Sequence, residues 1–529
     1  MSDGYLVKAR THLTDAGLNV SKIAGRPRTP GNVGLALSGG GSRSAGASWG
    51  ALRTLHAFGL LRHVRAISSV SGGSWCAVPF TYLPERFAED VFLGTYVADP
   101  GSLRWSSGDA PTDLRSVPTG AFGLPLTKLD MSTAAMVLEA VRDGNHGTAS
   151  NRLWTRQVGD QLLAHFDLAR FDQRQLPDDF FAADEAAAAS IRMRNPKLPA
   201  HCYTVRQSDA IPRPYLIVNG AMRCSGRDGK DTLAPVQFTP YFSGVMGKDI
   251  GTIADQEVGG GGISSFAFGG QWLLGDDSRP EIELRAPLAL SDIAGISSAA
   301  FADLLSDKGL HDLTPSLTYF GPSWRRPAGT RALFADAGSL ENTGIANLLS
   351  YSDIDAVIAM VNMPKGVEVH RDHVFLERQV AALFGYRGWT RRYGWTRVGE
   401  PGEGNPDYEH NQVFASDDGQ FEDLLQAVAA CHQAGDAMVV EREYDVVRND
   451  RFAVAGGRKV KVMWVLQSPA KRWVEQLHPL VRAALDHQFP NLPTARTMLD
   501  ATHVNLLAHF AGWMLSQHKT GLHRMFGLG

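Results

Sequence analysis

Hydrophobic and polar positions fall into two alternating regimes near the start of the chain. Val33-Gly34-Leu35-Ala36-Leu37 is a short unbroken apolar run, as expected of a strand buried on both faces. It gives way to the polar loop Ser38–Arg43. Beyond that loop, Ala45, Trp49, Leu52 and Leu55 share one helical face and Gly59 is placed to end the helix. Ala66-Ile67-Ser68-Ser69-Val70 repeats the strand signature and stops at Ser71-Gly72-Gly73, and a second helical stretch runs from Ser74 to about Tyr82. Strand, loop, helix, strand, turn and helix in that order open an α/β sheet with helices packed on it.

Residues 85–213 read as a helix-rich stretch without clear strands, with Met131–Val141 and Leu153–Phe166 amphipathic, and so as a helical insertion able to cap a site. Strand patterns return at Tyr215–Val218, Val236–Phe238, Arg331–Ala335 and Ile354–Val361. Four consecutive glycines, Gly259–Gly262, are expected outside any regular element. Residues 1–31 are polar and end in the breaker cluster Arg26–Gly31, which predicts an arm or linker ahead of one domain over 32–529. Residues 398–420 read as a polar loop. Val504–Leu515, interrupted by Asn505, His509 and Gly512, predicts a buried helix. A membrane span needs about 18 apolar residues in a row, and no window reaches that.

Composition narrows the function classes. A chain of 529 residues with 44% hydrophobic and 20% charged positions is neither disordered nor fibrous. Lys and Arg total 52 against 55 Asp and Glu, a net charge of −3, so bulk nucleic-acid binding is not expected. The cysteines Cys76, Cys202, Cys224 and Cys431 are far apart and form no CxxC pair, which predicts neither a zinc site nor a disulfide framework. The start of the chain has no signal-peptide pattern. The expectation is a cytoplasmic protein without metal or cofactor. Peripheral contact with membranes, and export without a cleavable signal, stay open.

Two glycine-bearing turns carry the chemistry. A Gly-rich loop between strand and helix exposes backbone N–H groups where the helix dipole also favours an anion. Ser38–Arg43 does not match GxxxxGK[ST], and it fails GxGxxG because Ser44 stands at the third glycine position. An oxyanion hole is the better reading. Ser71 follows an apolar strand and precedes Gly72, Gly73 and a helix, the arrangement of a nucleophile elbow. Ser68, Ser69 and Ser74 are rivals by composition, but only Ser71 stands at the junction. Ser69 takes the position where GxSxG has glycine. A serine nucleophile needs a base. The late histidines (His478, His487, His503, His509 and His518) lie in no distinctive motif. Asp336 ends the apolar strand Ala332–Ala335 and is followed by Ala337-Gly338, with Asn342 beyond.

Ser38-Gly39-Gly40-Gly41-Ser42-Arg43, then Ser71-Gly72-Gly73-Ser74-Trp75, then Asp336-Ala337-Gly338 together resemble the catalytic domain of the cytosolic phospholipase A2 and phospholipase B (lysophospholipase) family, relatives of the patatin-like phospholipases. Segments 214–221, 236–241, 295–305, 489–494 and 504–513 extend the resemblance over roughly 32–520. It implies a three-layer α/β/α hydrolase with a helical insertion as cap or lid. It also implies hydrolysis of acyl esters of glycerophospholipids or lysophospholipids through an acyl-enzyme. In that scheme Ser71 is the nucleophile, Asp336 the base, and Gly40 and Gly41 the oxyanion donors. Gly39 shapes the turn, Gly72 and Gly73 support the elbow, and Arg43 steadies the substrate phosphate. Ser69, Ala337 and a short stretch between Phe301 and Asp336 depart from the family pattern, and no preceding C2 module is expected. A catalytically degenerate lipid-binding protein, or a nucleotide-binding enzyme using Gly39–Gly41, are the alternatives.

Gly388-Trp389-Thr390-Arg391 recurs as Gly394-Trp395-Thr396-Arg397. Three readings apply: a hairpin whose tryptophans pack on the domain, an interfacial membrane anchor, or a single-stranded nucleic-acid contact.

Overall fold

A computed structural model describes residues 4–14, 17–131, 152–276, 278–300, 314–322, 324, 328–370, 373–402, 404–417 and 419–528. Its principal strands are β1 (Val33–Leu37), β2 (Ala66–Ser69), β3 (Tyr215–Gly226), β4 (Asp231–Phe238), β5 (Phe242–Val245), β6 (Gly261–Ser264), β7 (Thr330–Ala335), β8 (Ala356–Val361), β9 (Val439–Val446) and β10 (Arg458–Leu466). Its principal helices are α1 (Gly41–Ala57), α2 (Gly72–Tyr82), α3 (Leu290–Ser297), α4 (Ile345–Leu349), α5 (Arg378–Ala382), α6 (Gln420–Ala434) and α7 (Ala501–Ser516). From edge to edge the central sheet runs Thr11–Leu13, β6, β5, β4, β3, β2, β1, β8, β10, β9. Strands β3, β2, β1, β8 and β10 are mutually parallel, and the flanks are antiparallel.

The central strands are apolar throughout because both faces are covered, and alternate residues serve different layers. Ala356, Ile358 and Met360 join one core with Val33, Leu35 and Leu37, under α1 and α7. Val357, Ala359 and Val361 join the other, with Leu348, Phe384 and Phe421. The result is a sheet between two helical layers. Helices α1 and α7 approach so closely that a Cβ at Gly50 would lie 2.0 Å from the Ala508 carbonyl oxygen, so this crossing needs glycine.

Three expectations are corrected. The N-terminal segment is not a free arm. Tyr5–Lys8 and Thr11–Leu13 pair with sheet strands, and Val7, Leu18 and Val20 are buried. The buried Arg65–Asp353 pair clamps it: the Asp353 carboxylate accepts the Val20 and Ser21 amides at 2.9 and 3.0 Å and Arg65 Nε at 3.1 Å. Polar groups of that segment thus face partners that lie elsewhere in the chain, a match composition does not display. The insertion contains strands, Asp179–Ala182 paired in parallel with His201–Thr204. Gly261 and Gly262 lie inside β6, where the lack of side chains admits the adjacent backbone: a Cβ at Gly244 would sit 2.5 Å from the Gly261 carbonyl oxygen. Most of the expected helix Met131–Val141, and part of the 295–305 segment, lie outside the described residues.

Candidate active site

Ser71 stands between β2 and α2 with φ 49° and ψ −121°. A non-glycine residue held there is strained by about 1–3 kcal/mol and persists only when its surroundings fix it. They do so here. The Ser71 amide donates to Ser297 Oγ at 2.9 Å, and the Ser74 amide donates to the Ser71 carbonyl at 2.8 Å. The two glycines that follow are steric necessities. A Cβ at Gly72 would fall 2.1 Å from the Gly41 carbonyl oxygen, and one at Gly73 would fall 2.5 Å from that of Leu37. Ser69, in place of the elbow glycine, is fully buried and accepts the Ser74 hydroxyl at 3.0 Å.

Strand register brings the second residue in. β2 lies parallel to β3, with Ala66–Ser69 opposite Tyr215–Val218. β7 lies antiparallel to β3 on the same edge, with Ala335 opposite Ala221 and Phe334 opposite Met222. The two strands therefore run toward each other and end at the same place. Ser71 Oγ donates to Asp336 Oδ2 at 2.8 Å, and the Gly338 amide donates to Asp336 Oδ1 at 2.6 Å. Both side chains are nearly enclosed, with Ser71 7% and Asp336 5% exposed. Of the late histidines, His503 bonds Asp500 at 2.8 Å, and His509 accepts from Trp473 at 3.2 Å and is pushed down to about 3 by burial.

The glycine loop adjoins this pair. A Cβ at Gly39 would lie 3.1 Å from Ser71 Cβ, and the Gly39 amide donates to the Asn342 carbonyl at 3.0 Å. Gly40 has φ 140° and Gly41 φ 60°, values an L side chain rarely adopts. Among the described residues, the amides of Gly40, Gly41 and Gly72 have no hydrogen-bond partner. They are three unclaimed donors at two adjacent helix starts. Arg43 lies beneath the loop and not at its open side. It is 1% exposed and donates to the Asn362 carbonyl at 2.9 Å, to Thr494 Oγ1 at 3.3 Å and to the Leu492 carbonyl. Burial pushes its guanidinium down to about 10. A Cβ at Gly40 would meet Arg43 Nη2 at 2.5 Å, so the guanidinium packs directly under the turn.

Several supporting residues escape a reading of the sequence. Gln379, 3% exposed on α5, donates through Nε2 to the Gly338 carbonyl at 2.8 Å and accepts the Asn342 amide at 3.2 Å. It thus spans the loop that presents Asp336. Ser298 accepts the Trp75 indole N–H at 2.9 Å. Asn219 on β3 donates to the Ser69 carbonyl at 2.8 Å and to Ser68 Oγ at 2.9 Å, and it accepts Asn347 Nδ2 from α4 at 2.6 Å. The signal for Asn219 was present as a lone polar residue inside an apolar segment, and for Ser297 as one of a serine pair in another. Gln379 gave none. Glu377, close to Arg43, is raised by burial.

The Trp/Arg repeat forms the hairpin Tyr386–Thr390 with Gly394–Arg397, Trp389 opposite Trp395. Trp389 stacks on His373 at 4.1 Å, and Trp395 packs on Phe421 at 5.2 Å. This is the packed hairpin of the three readings. Among the described residues, no group of three or more His, Cys, Asp and Glu could hold a metal, and no helix is long and apolar enough to cross a membrane.

No protein-family model and no curated protein matches the chain. Among solved structures, human GIVD cytosolic phospholipase A2 is similar, at 12% identity and a TM-score of 0.45 over 96% of this chain and 62% of that one. The same human protein in complex with methyl gamma-linolenyl fluorophosphonate gives 13% and 0.42, over 96% and 61%. This chain thus spans less than two thirds of that protein's length.

Proposed function

We propose that the protein is a serine acyl hydrolase that cleaves acyl esters of phospholipids or lysophospholipids. The observation that carries the reading is the 2.8 Å hydrogen bond from Ser71 Oγ to Asp336 Oδ2, made by a serine in a strained strand-to-helix turn. Asp336 takes the hydroxyl proton as Oγ bonds to the ester carbonyl carbon. The resulting oxyanion is received by the unclaimed amides of Gly40 and Gly41, joined by that of Gly72. Losing one such donor typically costs about 2.7–4 kcal/mol of barrier. The ester C–O bond then breaks, the proton passes from Asp336 to the departing alcohol, and an acyl-Ser71 ester remains. Water, deprotonated by Asp336, attacks that ester; the acyl carbon–Oγ bond breaks, Asp336 returns the proton to Ser71 Oγ, and the fatty acid leaves. No imidazole is required. Arg43 enters as the brace of the glycine loop, since both its terminal nitrogens already donate to protein oxygens.

The lipid part of the reading rests on the three ordered motifs. Mass spectrometry of products from mixed vesicles of phosphatidylcholine and lysophosphatidylcholine tests it. Fatty acid and the matching lyso-lipid or glycerophosphocholine should accumulate together. Hydrolysis of water-soluble esters only would remove the lipid assignment.

A further inference from the structure

Away from Ser71, the N-terminal segment closes over β5 and β6 and leaves a cavity of about 540 Å³. It lies near the beginning of β3, where Tyr241 stacks on Tyr215 at 6.0 Å. The Ser71 elbow is at the far end of β2, beyond the segment of β3 that pairs with it. Four aromatic rings line the cavity: Phe181, Tyr241, Phe242 and Phe266. His12 lies flat on Phe242 with centroids 4.3 Å apart, and its Nε2 is buried without a hydrogen-bond partner.

Around these rings stand Arg10, Lys22 and Arg194. All three are exposed, and among the described residues no ion pair or hydrogen bond engages their charged heads. Arg194 is close enough to Arg10 and Arg279 to be disfavoured by both, after burial. No carboxylate lines the cavity among the described residues. A carboxylate that acts on Tyr241 is Asp184, which caps the Ala187 amide at 2.7 Å. Elsewhere on the surface, cations such as Arg227 and Arg442 have found carboxylates. In a chain of net charge −3, the neighbouring charges of Arg10 and Arg194, without a counter-ion among the described residues, stand out. Such a concentration of one sign attracts an anion.

We infer that this cavity is a second ligand site, for a single-chain anionic amphiphile. The cations would meet the head, and the aromatic floor would take the chain. The volume falls within the about 300–1,000 Å³ usual for small-molecule sites. An inorganic anion would satisfy the cations and leave four aromatic rings unused. An uncharged chain would leave the cations as they are. A carboxylate and a phosphate head share the required chemistry. The site is independent of the reading given to Ser71.

Isothermal titration calorimetry tests it on Ser71→Ala protein, with and without Arg10→Ala/Arg194→Ala. The four probes are dodecanoate, dodecyl phosphate, inorganic phosphate and dodecyltrimethylammonium, each below its micelle concentration. We expect one molecule of dodecanoate or dodecyl phosphate per chain, the tighter of the two identifying the head. Affinity should fall at least tenfold in the double variant, with unchanged Tm. Equal binding in the double variant, equal binding of the cationic amphiphile, binding of inorganic phosphate as tight as that of the amphiphiles, or no binding at all would each overturn the inference.

Discussion

Ser71 and Asp336, 265 positions apart in the chain, are joined by a 2.8 Å hydrogen bond because their strands run head to head along one edge of β3. β3 is long enough to pair with β2 over its first residues and with β7 further on. The nucleophile-like turn and the carboxylate are thereby brought together by sheet hydrogen bonding.

The elbow and the glycine loop share a backbone contact, so they fail together. Gly72→Ala places a Cβ 2.1 Å from the Gly41 carbonyl oxygen, which is backbone and has little room to yield. Overpacking of this kind costs about 1–3 kcal/mol. Thermal unfolding should show a lower Tm, and acyl hydrolysis should fall far more than the loss of folded protein explains. Gly59→Ala serves as the control, where a Cβ meets nothing within 4 Å and only the positive φ is strained.

Gln379 holds the loop that follows Asp336, the proposed base, through the Gly338 carbonyl and the Asn342 amide. Gln379→Met keeps the volume and removes both hydrogen bonds to the 338–342 loop. The expected outcome is a kcat lowered about 10–100-fold, the range of a misplaced reacting group, with KM unchanged. Combined with Asp336→Asn, the same change should cost almost nothing further, because groups that act as a unit are not additive. A purely structural role would instead give the same loss in both backgrounds.

Arg43 separates two roles by choice of substrate. Arg43→Met removes donors to the Asn362 and Leu492 carbonyls and to Thr494, each bond to a charged group being worth about 1.5–3 kcal/mol. As a brace, it should lower kcat/KM by a similar factor on a phospholipid and on an uncharged p-nitrophenyl ester, and lower Tm as well. A loss confined to the phospholipid would return Arg43 to a phosphate contact.

Asp353 ties the N-terminal segment to the domain in a pH-dependent way. Burial alone would raise its carboxyl, but Arg65 and the Val20 and Ser21 amides outweigh that and hold it below the ordinary value. A depressed folded-state value means the contribution is complete above about pH 3.9 and is lost as pH falls through the lower, folded value. Asp353→Ala leaves Arg65 unpaired in the interior, a change that typically costs about 3–5 kcal/mol. Limited proteolysis at neutral pH should cut within residues 4–31 of the variant and spare the wild type. The Tm of Asp353→Asn should fall less steeply than wild type on acidification.

The sequence displayed what depends on neighbours in the chain. β1, β2, β7 and β8 were visible as apolar runs, and Ser71 as a serine between a strand and two glycines. The Ser38–Arg43 loop was visible as a run of three glycines between a strand and a helix. What depends on distant partners was not. The N-terminal segment looked like a linker because its polar groups are matched by Arg65 and Asp353, far along the chain. β6 looked like a flexible glycine run because the reason for those glycines is the adjacent backbone. Gln379 looked ordinary because both its partners are main-chain atoms of another segment. Arg43 was expected at a substrate phosphate through the resemblance alone, and its burial among the Asn362 and Leu492 carbonyls depends on segments far along the chain.

The most direct test is covalent labelling by a fluorophosphonate probe, read by intact mass and peptide mapping, alongside fatty-acid release from phospholipid vesicles. Wild-type protein should gain one adduct, on Ser71. Ser71→Ala should gain none, and Asp336→Asn should label and hydrolyse at least a thousandfold more slowly, with all three proteins equally folded by circular dichroism. Adduct formation at another residue, or full hydrolysis by either variant, would contradict the Ser71–Asp336 pair as the seat of catalysis.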